Sequence, residues 1–453
     1  MSPVDTIELD ILLEAELASE LNQLRVAPVR LRSEDALLCV HSGHSNIDPA
    51  PGHFTFPTDT LTLTLVDGNG DVRWQHDAGE GVVPGKWFCP VYPFDLDGDG
   101  VEEIWYVGNE DPDHPLDAGH YQLERVDAET GETTGTWDWP VPPYEPMSMA
   151  YRNFIFGGHV DGEPVLGTAQ GTYRTMKLQG WNPDLSRRWE LMIDRDDPGA
   201  RGSHMCPVLD LNDDGVDELL WGERCVEFDE GRELWCADRD TWSGHSDIVL
   251  PTLDHEADEW YTYTCRESNT DEPPRVVTYN ADGERVWADL EAGHMHTGWT
   301  ARVGDDERDR LAVAGANKHA GYDEMSEYGW DPFTGAEREL DYPVYSALPV
   351  DLDGDGVHEF VYEMFDREGR VIDADGTELD TVDDTVVRCS PSKLLDRAGE
   401  QFVTYTDDGR VRLWGDRNAE DGDAARRRYE HPYYRKAQRL GAVGYNWRNV
   451  AGL

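Results

Sequence analysis

Met205–Trp235 reads MCPVLDLNDDGVDELLWGERCVEFDEGRELW. An apolar stretch runs into the acid-and-glycine turn Asp210–Gly215, and a second apolar stretch ends at Trp221. A third follows the Gly222-Glu223 break, turns at Asp229–Gly231 and ends on Trp235. Short apolar runs separated by Asp/Gly turns are the signature of hairpins. Two hairpins in succession make a four-stranded antiparallel unit, with strands A to D.

The unit recurs. Its second hairpin is repeated in Leu63–Trp74 (LTLVDGNGDVRW), Glu124–Trp137, Gly180–Trp189, Val277–Trp287 (VTYNADGERVW), Gly329–Leu340 and Val371–Leu379. Val403–Trp414 has the same pattern but sits one strand earlier in its unit. The first hairpin is repeated in Phe88–Gly108 and Tyr345–Glu363. Weaker copies lie at Met149–Thr168, Ser246–Thr264, Met295–Gly315 and Val386–Thr406. Asp35–Val40 supplies a B strand ahead of the first C–D pair. Blade-sized self-similarity of this kind predicts an all-β fold, a single β-propeller of four-stranded blades around a channel. Eight blades are expected, with seven the alternative if the weak last unit merges with the first. Residues 1–30 read as an N-terminal extension or cap, with Ile7–Leu24 a short amphipathic helix, and 31–453 as the propeller. Tyr445–Leu453 (YNWRNVAGL) is the expected closing strand, and Asn418–Arg428 an acidic surface loop.

Bulk composition narrows the function. Asp and Glu number 93 against 39 Lys and Arg, giving a formal net charge of -54 over 453 residues. These acids are interleaved with apolar residues, which argues for a folded chain rather than a disordered acidic tail. A folded protein of this charge is expected to be halophilic. In molar salt the Debye length falls to about 3 Å and self-repulsion is screened. The sign of the field excludes nucleic acid and anionic membrane as partners. Seven cysteines without a CxxC read as buried thiols. No apolar run has the length of a membrane span, and the first residues carry no leader pattern. A monomer in a high-salt cytoplasm is the expectation.

Three A–B turns share one pattern. Asp95, Asp97, Asp99 and Glu103 occupy positions 1, 3, 5 and 9 of the first. Asp210, Asn212, Asp214 and Glu218 do so in the second, and Asp351, Asp353, Asp355 and Glu359 in the third. Hard oxygen ligands at this spacing, with Gly at position 6, suit Ca²⁺. Position 12 is Tyr106, Trp221 or Tyr362 rather than Glu, which excludes an EF-hand. The ion's expected role is to pin the blade turns.

Strand topology sorts the histidines. A–B and C–D turns lie at one end of a four-stranded antiparallel blade, and D–A and B–C connections at the other. The A strands open with Ser203-His204-Met205-Cys206, Gly244-His245-Ser246-Asp247 and Gly293-His294-Met295-His296. The B–C connections carry His41 and His44, Tyr173-Arg174, and Asn317-Lys318-His319 with Tyr322. One mouth therefore collects histidines with Tyr, Arg, Lys and Asn, a set suited to a polar anionic ligand. His41, His44, His294, His296, Asn317 and Lys318 are the candidate ligand-binding residues. Cys89 and Cys206, in matching Cys-Pro pairs, form with His294 and His296 a weaker candidate zinc set.

The strings VLDLNDDGVDELLWGERCVEFDEGRELW, GHSD and VVTYNADGERVWADLEAGHMHTGW, with the terminal YNWRN, resemble the β-propeller polysaccharide lyases. The resemblance is to the eight-bladed, calcium-binding rhamnogalacturonan lyases, and more distantly to the seven-bladed ulvan lyases. It covers roughly residues 85–415. It implies a carbohydrate substrate and β-elimination beside a uronate: a cation neutralises the carboxylate, a base removes the C5 proton and an acid protonates the leaving oxygen. On this chain it implies Arg174 as neutraliser, His204, His245 or His319 as base, and Tyr173 or Tyr322 as acid. A non-enzymatic propeller that binds glycan or protein is the competing reading. A glycosidase ranks third, because Asp247 and Glu324 are the only acids the topology brings near the mouth.

Overall fold

The computed structural model describes residues 7–18, 20–50, 52–110, 115–139, 147–267, 273–291, 293–317, 325–363, 368–382, 386–387, 391–443 and 452–453. Among them, eight four-stranded sheets follow one another along the chain, each antiparallel from its inner to its outer strand. The fold is an eight-bladed β-propeller, which removes the seven-bladed alternative. Blade 4 is Val208–Leu209, Glu218–Leu220, Arg224–Glu227 and Glu233–Cys236, the hairpin pair of Met205–Trp235.

The recurrent Trp and Gly of the repeat are partners across blades. Trp74, Trp189, Trp235 and Trp287 donate their indole N–H to Ala128, Phe228, Ala281 and Pro332, carbonyls in the next blade's C–D turn. Each indole lies on the glycine of that turn. A Cβ added at Gly131, Gly231, Gly283 or Gly335 would come within 2.5–2.7 Å of the ring, and each of these glycines has a positive φ of 68–76°. Only glycine meets both demands.

Two N-terminal expectations are corrected. Leu9–Glu16 is a β-strand, not a helix or cap. It pairs antiparallel with Arg410–Asp416 and completes the sheet of Phe402–Tyr405 and Val386–Val387. Leu13, Ala15 and Leu17 are buried, with Glu14 and Glu16 exposed between them. That period of two outweighs the helical propensity of Leu, Glu and Ala. Gln23–Arg30 is the inner strand of blade 1, pairing with Asp35–Ser42. It is buried along nearly its whole length and so lacks the alternation that marks half-buried strands. The ring thus closes with the N-terminal strand in the last blade. Of the segment expected to close it, 445–451 lies outside the described residues, and Gly452 accepts a hydrogen bond from Leu253 N–H.

The C-terminal region is also corrected. Asp423–Glu430 and Pro432–Arg439 are helices, with Pro432 at the first-turn position it favours. They pack at the A–B end of the ring. Arg428 bonds Asp351 at 2.9 Å and Glu400 at 3.1 Å, Arg439 bonds Glu102 at 2.6 Å, and Lys436 pairs with Asp217. Arg428 is buried, so Asn418–Arg428 is not simply a surface loop. Among the described residues, no helix is long and apolar enough to cross a membrane.

Candidate functional site

The mouth opposite the helices is built from connections of several blades. His204 precedes the inner strand of blade 4. His245 precedes Ser246–Asp254, the inner strand of blade 5, which carries Asp247. Glu267 follows Glu259–Arg266 in the same blade, and His294 and His296 open His294–Arg302 in blade 6. Tyr173 lies in the B–C connection of blade 3.

These residues interlock around two carboxylates. His204 Nδ1 is 2.9 Å from Asp247, and His204 Nε2 lies 2.8 Å from the Tyr173 hydroxyl. Glu267 pairs with His245 Nε2 and, at 2.9 Å, with His294 Nε2. His296 Nδ1 sits 3.6 Å from Asp247 and 3.7 Å from Glu267. The His204 and His245 rings stack with centroids 5.3 Å apart, and Tyr173 meets His245 edge-on at 4.2 Å. Tyr173 holds a left-handed backbone, φ 75°, a strained choice for a non-glycine residue.

Electrostatics follows from this packing. Burial opposes charge on Glu267, yet His245, His294 and His204 hold its carboxyl far below the ordinary range. Burial also opposes charge on His204, but Asp247 and Glu267 raise its pKa. Burial lowers that of His245, aided by the neighbouring His204. The neighbouring Asp247 carboxylate raises that of His296, and burial raises that of Tyr173. Ligand atoms of His204, His245, Asp247 and Glu267 all lie within 4.8 Å of one another. This N/O donor set can hold a divalent cation.

The expected residues divide. His204, His245, His294, His296 and Tyr173 come together. Arg174 does not: its side chain is exposed, whereas Arg152 is buried at the mouth. The Arg152 guanidinium lies 4.4 Å from the Trp87 ring centroid and 4.6 Å from that of Tyr173, with Asp48 at 3.7 Å. His41 is buried within blade 1 against Thr64 at 2.9 Å, and His44 bonds Thr58 and Thr55 in its own loop. Neither belongs to the cluster. The backbone register sets Asn317 opposite His294. Lys318, His319, Tyr322 and Glu324 lie outside the described residues. The zinc set is also corrected. Cys89 and Cys206 are buried in two separate core clusters, and burial raises both thiol pKa values, that of Cys89 to about 12. Glu267 and Arg152 carried no sequence signal beyond their place in connections at the mouth end.

At the other end, the three acidic turns share one construction. Gly100, Gly215 and Gly356 have φ of 90°, 88° and 92°, and each donates its N–H to the position-1 carboxylate at 2.9–3.1 Å. The position-9 glutamates Glu103, Glu218 and Glu359 each accept the N–H of position 2 at 2.8–3.0 Å. Asp95, Asp97 and Asp99 bring their carboxylate oxygens within 4.8 Å of one another, as do Asp351, Asp353 and Asp355. Donor chemistry and spacing fit a hard cation.

Fold and site together define an eight-bladed propeller with a histidine–carboxylate centre at the mouth opposite its acidic turns. This combination is accompanied by similarity to rhamnogalacturonan lyases. The chain is 26% identical over 333 residues to rhamnogalacturonan exolyase YesX of Bacillus subtilis (strain 168), covering 66% of this chain and 53% of that protein. It is 24% identical over 213 residues to rhamnogalacturonan endolyase YesW of the same organism, covering 40% and 34%. The chain thus spans about half the length of the first of these curated relatives and about a third of the second. No family model matches it. The crystal structure of YesX superposes with a TM-score of 0.80 at 19% identity, over 96% of this chain and 80% of that one. That of YesW superposes at 0.76 and 16%, over 98% and 80%. These superpositions establish the shared fold.

Proposed function

We propose that the chain is a lyase that cleaves a rhamnose- and uronate-containing glycan by β-elimination. The observation that carries this reading is the Tyr173–His204–Asp247 chain at the mouth, in a propeller similar over 333 residues to a rhamnogalacturonan exolyase. Asp247 orients His204 through Nδ1 and leaves Nε2 facing the Tyr173 hydroxyl, a geometry for moving a proton. In the reaction a base takes the C5 proton, the C4–O bond breaks, a C4–C5 double bond forms and the leaving oxygen takes a proton. His204 and Tyr173 are the proposed base and acid. Arg152, whose charge acts on both, supplies the positive potential expected of Arg174.

A second assignment follows from the donor set of the same centre. His204, His245, Asp247 and Glu267 would hold a divalent cation, which when bound supplies charge to polarise the uronate carboxylate. Tyr173 lies outside that set and keeps its hydroxyl for proton exchange. Calcium in the three acidic turns is a separate, architectural proposal. The acidic surface supports assay in molar salt.

The test is the ultraviolet absorbance of the unsaturated uronate product, with rhamnogalacturonan backbone as substrate at high salt. Absorbance should rise with wild type and not with Tyr173→Phe. No rise with wild type, in the presence or absence of added calcium, overturns the lyase reading. Metal analysis of the purified chain, with activity before and after chelation, separates the two assignments.

A further inference from the structure

A groove of about 540 Å³ lies between blades 4 and 5 at the acidic-turn end of the ring. It is away from the histidine mouth and shares no residue with it. Its walls are Asp210–Asp213 of the second acidic turn, the edge Asp258–Trp260, the turn Asn280–Asp282, and the first turn of the second C-terminal helix with Lys436. This volume is of the order that holds small ligands.

Three features define what fits. Trp260 contributes a half-buried indole held by two neighbours: His431 and Tyr433 meet it in T-shaped contacts with centroids 5.5 Å and 5.4 Å away. A fixed indole is a platform for the C–H face of a pyranose. Around it stand the side-chain carboxylates of Asp213, Asp258 and Asp282, a kind of group that accepts hydrogen bonds from sugar hydroxyls. Finally, Lys436, the only lysine or arginine among the described lining residues, is committed to the buried Asp217. The groove therefore offers no uncommitted lysine or arginine to a uronate, phosphate or sulfate.

We propose that this groove binds a neutral oligosaccharide stacked on Trp260, as a second glycan site distinct from the mouth. With its lysine committed, the groove favours uncharged sugars over a uronate. The proposal does not rest on the lyase reading.

Calorimetric titration of the full chain with β-1,4-galactotetraose tests it directly, because this probe carries no uronate. Saturable binding is expected, weakened about tenfold or more by Trp260→Ala, or about 1.4 kcal/mol. Asp282→Ala changes an exposed turn. It should weaken binding as well, which keeps the test valid if the tryptophan variant misfolds. Tyr173→Phe should leave the affinity unchanged. Absence of binding to wild type, or equal affinity in both groove variants, overturns the proposal. So does equal or tighter binding of tetragalacturonate or of choline, which would make the groove an acid- or cation-binding site.

Discussion

The two ends of the ring solve the same electrostatic problem in different ways. At the acidic-turn end, buried carboxylates are matched by cations from one local segment. The residue at position 8 of each turn is buried: Glu102, Asp217 and His358. Each receives a C-terminal helix cation: Arg439 and Arg435 on Glu102, Lys436 on Asp217, and Arg428 on His358 at 3.1 Å. Where position 8 is the uncharged His358, Arg428 also reaches the carboxylates of Asp351 and Glu400. At the mouth, buried Asp247 and half-buried Glu267 are matched by histidines from blades 4, 5 and 6. Permanent cations make a clamp. Histidines leave the charge adjustable, which suits chemistry. The comparison therefore predicts function at the mouth and stability at the clamp.

The largest effect is expected at the mouth. Tyr173→Phe removes only the hydroxyl that reaches His204. It should lower kcat about 10²–10³-fold while leaving the thermal midpoint unchanged. Steady-state kinetics beside a melting curve checks both. A fall in melting temperature with little loss of kcat would reverse the functional assignment of the two ends.

Glu102→Gln should do the opposite. It leaves Arg435 and Arg439 without their buried acid. Removing one partner of a buried pair costs about 3–5 kcal/mol, measurable by denaturant unfolding at constant salt. Activity per folded molecule should stay at the wild-type value. A comparable drop in kcat would show that the clamp and the mouth are mechanically coupled.

The clamp and the mouth were not equally legible in the sequence. The acidic turns are local: each is a nine-residue string whose glycine, first aspartate and last glutamate bond within the string. The Trp and Gly of the repeat were legible as a pattern, but not as partners, because they meet across blades. At the mouth, topology alone grouped His204, His245, His294 and His296. Glu267 and Arg152 escaped because nothing local marks them, and Arg174, beside Tyr173, drew the role that Arg152 fits. The helices that carry the clamp were missed because their sockets lie in turns far away in sequence. Leu9–Glu16 was misread because its partner strand is about 400 residues on.

A core histidine marks a third kind of solution. His41 is buried against Thr64, with its pKa lowered to about 4 by burial. Its folded-state value lies below the unfolded value of about 6.5. Its effect on stability is therefore absent above pH 6.5. Below that, the unfolded chain takes up a proton that the folded chain refuses, and stability falls until about pH 4. The loss is about 3 kcal/mol at most. His41→Gln should flatten the unfolding free energy across that window relative to wild type. An unchanged pH slope would place the acid sensitivity elsewhere.

The smallest effect concerns the acidic turns themselves, which are not alike. Asp95, the first carboxylate of the first turn, is half-buried, whereas Asp351, at the same position of the third, is fully buried beneath Arg428 and Tyr429. If calcium occupies these turns, its removal lowers stability by about 2.7 kcal/mol per site at a free concentration one hundred times Kd. The third turn already has a guanidinium at its first carboxylate and depends less on the ion. Hydrogen exchange after chelation should therefore quicken at Asp95–Glu103 and Asp210–Glu218 while Asp351–Glu359 stays protected. Equal loss in all three turns would mean that Arg428 does not substitute for the ion. Loss of activity without loss of protection in any turn would place the functional cation at the mouth, among His204, His245, Asp247 and Glu267.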